Sequence, residues 1–516
     1  MVKVSWGHIT LSNTNIIFGP PGTGKTTRLL RIVEEELERG TPPDRIGYFA
    51  FTRKASREAI DRACTKFNLQ RKDFSNFRTL HSLAYHSLGL DKTNVMKDEH
   101  YNECSDLLQV KLKNADKTVD NYGAFVAEDI YMQLINLAKV KNEPLNKVFH
   151  EFGHVPGGWL KLDYVDRALK KYKEERNLFD YTDMVMEYNK QKPKSKLEVL
   201  IVDEAQDLSF IQWEMIKNMQ DQVERVYIAG DDDQAIFKWS GAQPEFLINL
   251  EGKREILNQS YRVPIAVHRV ANSLVSRIDN RVPKEYMAKP VSGFLERHIH
   301  RFDSVDLKHG SWLLLARTNY IAEQLVMELR DMGMYYEKFD NPSVSQKLVE
   351  AIRTWETLQK GDKVSFDQVK NLYSYFKLEK DVARGHKGLT GVDEKKMFNI
   401  ATLGTEHGLK VEQQTPWHYA LSLVSETMKV YVLSLLRNNE EIDFKPRIKV
   451  STIHGAKGGE ADNVMLLTDI TKRVEEGYLT NPDDERRVFY VGATRAKESL
   501  HLIASQSNLE FSEIFR

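Results

Sequence analysis

A glycine-rich run near the start of the chain has residue types suited to holding phosphate. Residues 19–26 read GPPGTGKT, which fits the pattern G-x-x-x-x-G-K-[ST] and directly follows an apolar run at residues 16–18. Glycines let successive backbone N–H groups surround phosphate oxygens, Lys25 supplies a mobile positive charge, and the Thr26 hydroxyl can ligate Mg²⁺. A helix predicted over residues 26–39 would direct the positive end of its dipole at the same anion. The sequence therefore predicts a nucleoside triphosphate site formed by Gly19, Pro20, Pro21, Gly22, Thr23, Gly24, Lys25, Thr26 and Thr27.

Two carboxylates follow an apolar run that is predicted to be a buried strand. Residues 200–207 read LIVDEAQD, so Asp203 and Glu204 come at the carboxyl end of the strand, where ligand sites of open α/β sheets lie. Asp203 suits Mg²⁺, held directly or through water, and Glu204 suits a general base that orients the attacking water. A solvated acidic loop is the alternative interpretation. The phosphate loop in the same chain favours a hydrolytic site.

An amide and two aromatic side chains follow the next predicted strand, at residues 226–229. Gln234 lies just beyond that strand, where it can touch a γ-phosphate, and Phe237 and Trp239 follow it closely. Flat aromatic rings can stack on nucleobases, which would couple the nucleotide state to a strand-binding surface. Placement of both rings in the protein core is the other interpretation.

Two arginines stand far from the phosphate loop in the sequence. Tyr261 and Arg262 open a second α/β pattern, in which the tyrosine can stack on a nucleobase and the arginine can bind a phosphate bidentately. Arg495 is predicted to lie on a helix near the C-terminus. If they come from a domain other than that of the phosphate loop, they are arginine fingers that complete the site on domain closure. A surface salt bridge is the alternative for each.

The elements that must position these residues alternate between strand and helix. Strands are predicted at 45–51, 77–80, 197–202, 226–229, 254–257, 311–316, 447–450, 463–467 and 499–503. Two charged stretches have helical patterns without a convincing buried strand. We therefore predict an α/β fold with two parallel-sheet P-loop domains in tandem, each interrupted by a mainly helical insertion. The predicted domains are 1–90 with 186–252 and 253–355 with 446–516, and the insertions are 91–185 and a shorter 356–445.

Composition sets broad limits on the protein class. The 516 residues include 74 Lys and Arg against 74 Asp and Glu, so any polynucleotide site must be local rather than a result of overall charge. There is no apolar run of about 18 residues and no secretory signal pattern, so we expect no membrane partner. Cys64 and Cys104 form no disulfide or metal framework. These features predict a cytoplasmic protein.

Taken together, eight ordered blocks resemble the motifs of the UvrD/Rep/PcrA-type helicases of superfamily 1. GPPGTGKT resembles their motif I, YFAFTRKASREA Ia, FRTLHSLAYHSL Ib and VDEAQD II. GDDDQAIFKWSGA is similar to motif III, NQSYRVP to IV, STIHGAKGGEADNV to V and ERRVFYVGATRA to VI. FDYTDM at residues 179–184 is similar to the DFxDL segment where these proteins return from the first insertion. The blocks span residue 15 to about residue 503 and leave only the two insertions without a match.

The resemblance implies two RecA-like domains and assigns a role to each motif residue. Lys25, Thr26, Asp203 and Glu204 would bind and hydrolyse MgATP, and Gln234, Arg262 and Arg495 would sense and stabilise the γ-phosphate. Tyr261 would stack on adenine with Arg28 as a candidate opposite it, and Glu460 would contact the ribose. The residues implied along the single-strand path are Phe51, Thr52, His81, Phe237 and Trp239, with His454 and Lys457 linking that path to the ATP cleft.

The implied activity is ATP-driven 3′→5′ movement on single-stranded DNA with separation of duplex, in replication, repair or recombination. The DDDQ-x-I-x-x-W form of motif III is typical of the 3′→5′ branch. The implied partners are single-stranded DNA, single-strand to duplex junctions and replication or repair proteins, with the chain a monomer or weakly self-associating. A translocase that displaces proteins without unwinding, a helicase acting on RNA, and a DNA-binding remodeller with a vestigial ATPase remain alternatives. Relatives carry an adenine-reading glutamine before the P-loop, whereas the first glutamine here is Gln70, so selectivity for ATP stays open.

Overall fold

The computed structural model describes residues 14–50, 53–113, 129–390 and 392–516. The chain divides into two units, one combining Met1–His300 with Thr452–Arg516 and the other formed by Arg301–Ser451. Every predicted nucleotide-site residue belongs to the first unit. Across the described ranges, no helix has the length and apolar character needed to cross a lipid bilayer.

A six-stranded parallel sheet organises the first unit, with strand order β3-β2-β4-β5-β1-β6. Short runs rich in Ile, Val, Leu and Phe form its inner strands, and such runs suit a sheet that is covered on both faces. The strands are β1 (Thr14–Phe18), β2 (Ile46–Phe49), β3 (Phe77–Arg78), β4 (Val199–Val202), β5 (Arg225–Gly230) and β6 (Lys253–Ile256). The helices that follow the strands of this sheet are Lys25–Glu38, Arg53–Phe67, Leu80–Ser87, Phe210–Gln220 and Pro244–Ile248.

Parallel pairing brings the carboxyl ends of three neighbouring strands to one edge of this sheet. β5 lies between β4 and β1. The phosphate-loop motif follows β1, the two predicted catalytic carboxylates follow β4, and the loop with Gln234 follows β5. Three segments that are far apart in the sequence therefore meet at the edge where open α/β sheets bind ligands.

β6 extends the first sheet past the predicted domain boundary at residue 252. Its residues pair in parallel with β1, as in the pair Phe18↔Ile256. From the sequence, these residues are predicted to begin the second domain. Their pairing satisfies the backbone groups along the otherwise open edge of β1, so these residues belong to the first sheet.

Within residues 91–113 and 129–185, helices pack around a hydrophobic core of their own, which includes Leu134, Leu162 and Val165. The helices described in and just beyond this stretch are Asp98–Leu108, Ile130–Lys141, Leu145–Phe152, Gly158–Arg176 and Tyr181–Gln191. At the return to the sheet, the buried Asp180 carboxylate lies 3.0 Å from Lys139 and 2.8 Å from Lys173. These contacts hold the start of the helix Tyr181–Gln191 against the helices Ile130–Lys141 and Gly158–Arg176.

The remaining strands are distributed over the two units. In chain order they are β7 (Gln259–Pro264), β8 (Met287–Lys289), β9 (Phe294–Ile299), β10 (Trp312–Ala316), β11 (Tyr336–Lys338), β12 (Asn341–Pro342), β13 (Ile448–Thr452), β14 (Ala461–Leu467) and β15 (Ala496–Ile503). In the first unit, β15 pairs in parallel with both β9 and β14, and β7 pairs with β8. In the second unit, β11 pairs in parallel with β13 and antiparallel with β12.

Three further helices of the first unit are Ile265–Val275, Lys472–Thr480 and Pro482–Ala493. Those of the second unit are Asn319–Asp331, Gln346–Gln359, Phe366–Ser374, Ile400–Glu406, Trp417–Ala420 and Glu426–Arg437. The two units cut across the domain partition drawn from the sequence, because residues 253–300 and 452–516 belong with the first sheet's unit. The partition into two RecA-like domains with insertions therefore stays a prediction.

Candidate nucleotide site and adjoining aromatic cluster

The phosphate-loop motif is held in shape by its own backbone. The Thr23 hydroxyl donates a hydrogen bond to the Pro20 carbonyl at 2.8 Å. Gly22 and Gly24 have φ angles of +72° and +84°, a left-handed conformation that glycine adopts without steric cost. The helix Lys25–Glu38 follows at once, one residue earlier than predicted. A glycine loop at a helix N-terminus is a ready anion site, because its N–H groups lack partners within the helix.

Lys25 and Glu204 form a partly buried ion pair at the centre of the site, with Lys25 Nζ 3.4 Å from Glu204 Oε1. Burial opposes the charge on Lys25, but the carboxylates of Glu204, Asp231 and Asp203 outweigh it and raise the pKa of Lys25. Burial also opposes the charge on Glu204, yet Lys25 and Lys457 hold the pKa of Glu204 well below its usual range. Glu204 is therefore a charged carboxylate whose partner is the lysine expected to bind phosphate.

Asp203 is a buried carboxylate at the end of β4. In the part of the chain that the structure describes, no lysine or arginine forms an ion pair with it. Burial and the neighbouring Glu204 charge raise the pKa of Asp203 to about 6. Asp203 Oδ2 accepts a hydrogen bond from the Tyr48 hydroxyl at 2.8 Å, and Oδ1 accepts one from the Glu204 N–H at 2.9 Å. Together with the Thr26 hydroxyl, this carboxylate offers the hard oxygen ligands that fit Mg²⁺.

Glu204 has a strained backbone, with a φ of +54°. A non-glycine residue in this region costs about 1–3 kcal/mol and persists where the surroundings fix it, as at functional sites. Gln206 supplies part of that support, because its Nε2 donates to Glu204 Oε2 at 2.5 Å and its Oε1 accepts from the Asp231 N–H at 2.9 Å. Gln206 was not among the predicted site residues. Its place between Glu204 and Asp207 in the VDEAQD motif was the only signal.

Gln234 and Arg495 contact each other directly. Gln234 Nε2 donates to Asp231 Oδ2 at 2.7 Å, and Arg495 Nη2 donates to Gln234 Oε1 at 3.0 Å. Burial and the nearby charge of Arg262 lower the pKa of Arg495 to about 9. Arg495 does not lie on the predicted helix, because the helix Pro482–Ala493 ends two residues before it and β15 begins directly after it. The turn between these elements directs the guanidinium toward Gln234.

Tyr261 and Arg262 lie against the phosphate loop. The Tyr261 N–H donates to the Gly22 carbonyl at 2.9 Å, and a Cβ on Gly22 would come within 2.4 Å of Arg262 Cβ. Arg262 Nη2 lies 2.6 Å from Glu460 Oε2, whereas the buried Arg262 Nε has no partner among the described residues. The Tyr261 side chain is 72% exposed. The loop therefore faces one unsatisfied guanidinium donor and one open aromatic ring.

The remaining predicted nucleotide contacts have protein partners of their own. Arg28 Nε lies 3.0 Å from Glu255 and Arg28 Nη1 lies 3.1 Å from Glu35. Glu460 also pairs with Lys497 at 2.8 Å. The adenine and ribose contacts predicted for Arg28 and Glu460 stay predictions.

Comparison with known proteins agrees with this geometry. A UvrD/REP helicase N-terminal domain model matches residues 6–255, and a UvrD-like helicase C-terminal domain model matches residues 448–503. Together the two models cover more than half of the chain. The chain belongs to the UvrD/Rep helicase family.

Curated relatives align over most of the sequence. A probable DNA helicase II homolog of Mycoplasma pneumoniae is 22% identical and covers 95% of this chain and 82% of its own length. The ATP-dependent DNA helicase PcrA of Bacillus subtilis is 23% identical over 94% of this chain and 80% of its own length. The ATP-dependent DNA helicase Rep of Salmonella typhimurium is 22% identical and covers 66% of each chain. The resemblance to this family drawn from the motifs is confirmed.

In this UvrD/Rep family member, an aromatic cluster adjoins the nucleotide site. The rings of Phe237, Trp239 and His454 lie 6.1–6.3 Å apart, centroid to centroid. Lys457 Nζ lies 5.0 Å from the centre of the Phe237 ring and 2.6 Å from both carboxylate oxygens of Asp207. Lys457 Nζ also donates to the Gln234 carbonyl at 2.6 Å. The Lys457 ammonium group thus contacts the aromatic cluster, the VDEAQD motif through Asp207, and the loop after β5 through Gln234.

Of the other residues predicted to contact single-stranded DNA, His81 lies beside a cavity of about 700 Å³ within the first unit. His81 lies in its wall and packs edge-on against Tyr181, with ring centroids 6.1 Å apart. Phe51 and Thr52 lie outside the described residues. Basic, aromatic and hydroxyl side chains share the lining, among them Arg57, Phe77, Arg78, Thr79, Ser82, Tyr85, Lys92, Lys97 and Ser240.

A second set of charged residues behind Gln234 was not predicted. Lys284 Nζ lies 3.3, 2.5 and 3.0 Å from the carboxylates of Asp231, Asp232 and Asp233, and its side chain is 1% exposed. Arg281 binds Asp233 through two hydrogen bonds of 2.8 and 2.6 Å. The sequence signal was the unusual run of three aspartates. The basic residues that pair with them, Arg281 and Lys284, lie about fifty residues later in the chain.

Proposed function

We propose that this protein is an ATP-dependent DNA helicase or translocase that moves 3′→5′ along single-stranded DNA and separates duplex. The observation that carries the proposal is the double contact of Lys457, which pairs with Asp207 at the nucleotide site and covers the Phe237 ring of the aromatic cluster. A change in the nucleotide site that moves Asp207 or Gln234 moves Lys457 as well, and with it the surface against which bases would stack.

In the proposed reaction, Lys25 and the loop N–H groups bind the β- and γ-phosphates, and Glu204 orients the water that attacks the γ-phosphorus. Thr26 and Asp203 would hold Mg²⁺, which supplies charge neutralisation at the phosphate oxygens. Arg262, with its unsatisfied Nε, and Arg495, through Gln234, stabilise the negative charge that develops on the transferred group. Arg262 and Arg495 would contact the γ-phosphate only while it is present. Its release removes these contacts and reverses the movement that they stabilise.

The strand would run past His81 and across Phe237 and Trp239, with Tyr261 stacked on the base of the nucleotide. Base–aromatic stacking contributes about 1–3 kcal/mol per base and tolerates any sequence, as a motor on DNA requires. Since the overall charge is zero, the basic side chains that line the cavity beside His81 would supply the local phosphate contacts. Replication, repair or recombination is the proposed process, and proteins of these processes are the proposed partners.

The direct test measures ATP-dependent unwinding of partial duplexes that carry a 3′ or a 5′ single-stranded tail. Unwinding of the 3′-tailed DNA alone supports the proposal. Strand-stimulated ATP hydrolysis with displacement of a bound protein but no unwinding would favour the translocase alternative, and preference for RNA tails would favour an RNA helicase. Absence of ATP hydrolysis with every strand would favour the vestigial remodeller.

Two substitutions test the assigned roles. Glu204→Gln keeps the shape of the side chain but removes the base, so nucleotide binding should persist while turnover falls by about 10²–10⁴-fold. Trp239→Ala should keep basal ATP hydrolysis and lose its stimulation by single-stranded DNA, as measured by steady-state phosphate release. Full stimulation in the Trp239→Ala variant would show that this ring does not couple the strand to the nucleotide site.

A further inference from the structure

The Tyr48 hydroxyl is a polar group within a mainly apolar cluster. Tyr48 lies on β2 and is fully buried among Ile17, Phe77 and other core residues. Its ring stacks on Phe77 with centroids 5.1 Å apart and an interplanar angle of 23°. A buried hydroxyl without a partner is unfavourable, and the partner here is Asp203 Oδ2 on the neighbouring strand's end, at 2.8 Å.

The bond matters because of what it does to the Asp203 carboxylate. One oxygen accepts from the Glu204 backbone N–H and the other from Tyr48, so the plane of the carboxylate is fixed by two donors. A side-chain substitution cannot remove the donor from the Glu204 backbone. Tyr48 is therefore the only described side chain that holds this carboxylate through a hydrogen bond.

We propose that Tyr48 is a positioning residue for the metal of the nucleotide site, which orients Asp203 as a ligand of Mg²⁺. The inference rests on the proposed function, in which Asp203 holds the metal that accompanies ATP. A hydrogen bond from outside the ligand shell fixes the orientation of a ligand and raises metal affinity, and loss of such a partner typically reduces that affinity about 10- to 100-fold.

The test compares Tyr48→Phe with Tyr227→Phe. Tyr227 lies in the same core cluster, on β5, and its hydroxyl donates to Glu36 Oε1 at 2.9 Å. Both substitutions remove one buried tyrosine–carboxylate hydrogen bond and keep the ring. Binding of Mn²⁺ in the presence of ADP, followed by electron paramagnetic resonance, gives a readout that does not depend on catalysis.

We expect Tyr48→Phe to weaken Mn²⁺ affinity at least about 10-fold and to raise the Mg²⁺ concentration for half-maximal ATP hydrolysis in parallel. Affinity for a fluorescent ADP analogue without metal should stay within about twofold of the unsubstituted protein, and Tyr227→Phe should change neither metal property. In an Asp203→Asn background, where the ligand is already lost, Tyr48→Phe should add no further loss of Mn²⁺ affinity.

Equal Mn²⁺ affinity in Tyr48→Phe and the unsubstituted protein would overturn the inference while leaving the proposed function intact. Loss of folded structure by circular dichroism in Tyr48→Phe, with Tyr227→Phe folded, would also overturn it, since the role would then be structural. If the unsubstituted protein binds no Mn²⁺ with ADP and hydrolyses no ATP, the proposed function and the inference fail together.

Discussion

Replacement of Lys284 by methionine tests whether the charged group behind Gln234 holds the nucleotide site together. Lys284 Nζ is the shared cation of Asp231, Asp232 and Asp233, and its side chain is almost completely buried. Methionine has a similar length and no charge, so the substitution removes the ammonium without opening a large cavity. Arg281 remains bound to Asp233, and the other two carboxylates lose their nearest positive charge.

The magnitude follows from the distances. At about 3 Å and an effective dielectric constant of about 20, each ammonium–carboxylate pair contributes roughly 5 kcal/mol. Burying the ammonium group offsets several kcal/mol of that attraction. Removing one member of a buried ion group leaves uncompensated charge, which typically destabilises a protein by about 3–5 kcal/mol. We therefore expect Lys284→Met to destabilise the region around Gln234 by about 3–5 kcal/mol.

Hydrogen exchange of peptides that cover residues 225–240 measures this local stability, and urea unfolding measures the global effect. Lys66→Met is the matched control, because Lys66 pairs with Glu34 at 2.7 Å with both side chains more than a third exposed. Its effect should stay below about 1 kcal/mol. Adding Asp232→Asn to Lys284→Met should recover part of the loss, since it removes one unpaired charge. Exchange rates in Lys284→Met equal to those in Lys66→Met would refute the reasoning.

Three further predictions follow from the same contacts. Gly22→Ala should weaken binding of a fluorescent ATP analogue at least about 10-fold, because the new methyl meets Arg262; Gly40→Ala, which has a similar positive φ but open space around it, should leave that binding unchanged. Lys457→Met should abolish stimulation of ATP hydrolysis by DNA while nucleotide binding persists, because Asp207 and the Phe237 ring lose their common partner. Arg486 lowers the pKa of Glu513 from 4.5 to about 2, so this pair contributes stability above about pH 4.5 and loses it as the pH falls toward 2. The stability difference between Glu513→Gln and the unsubstituted protein, measured by urea unfolding, should be at most about 3 kcal/mol near pH 6 and vanish near pH 2.

Local patterns were enough to predict the first sheet and the ends of its strands. The apolar runs before Gly19, Asp203 and Gln234 each form a strand, and their parallel pairing places the motif residues at one edge. The chemistry of the loops follows from residue types over a few positions, such as glycines with positive φ next to a lysine. These features depend on short-range sequence, so a single chain suffices to find them.

Partners that are distant in the sequence could not be predicted in the same way. In the sequence, Tyr48 is part of an ordinary strand pattern. Only the pairing of β2 with β4 brings Asp203 beside it. The cations of the three aspartates and the Lys457 partner of Asp207 depend on tertiary packing over about 50 to 250 residues. The predicted placement of Arg495 on a helix was wrong by two residues for another reason, because the point where a helix ends depends on the neighbours that pack against it.

The charges around Glu204 suggest how the site distinguishes an empty state from a loaded one. In the present arrangement, Lys25 lies 3.4 Å from Glu204, and together with Lys457 it keeps the pKa of Glu204 low, so this carboxylate is a weak base. A triphosphate in the loop would draw Lys25 toward its oxygens and add negative charge near Glu204. Both changes favour the protonated form of Glu204 and raise its pKa, which strengthens it as a base for the attacking water. In the proposed function, Lys25 would thus bind the phosphate and also release Glu204 to act as the base, so that ATP hydrolysis would depend on the presence of the substrate.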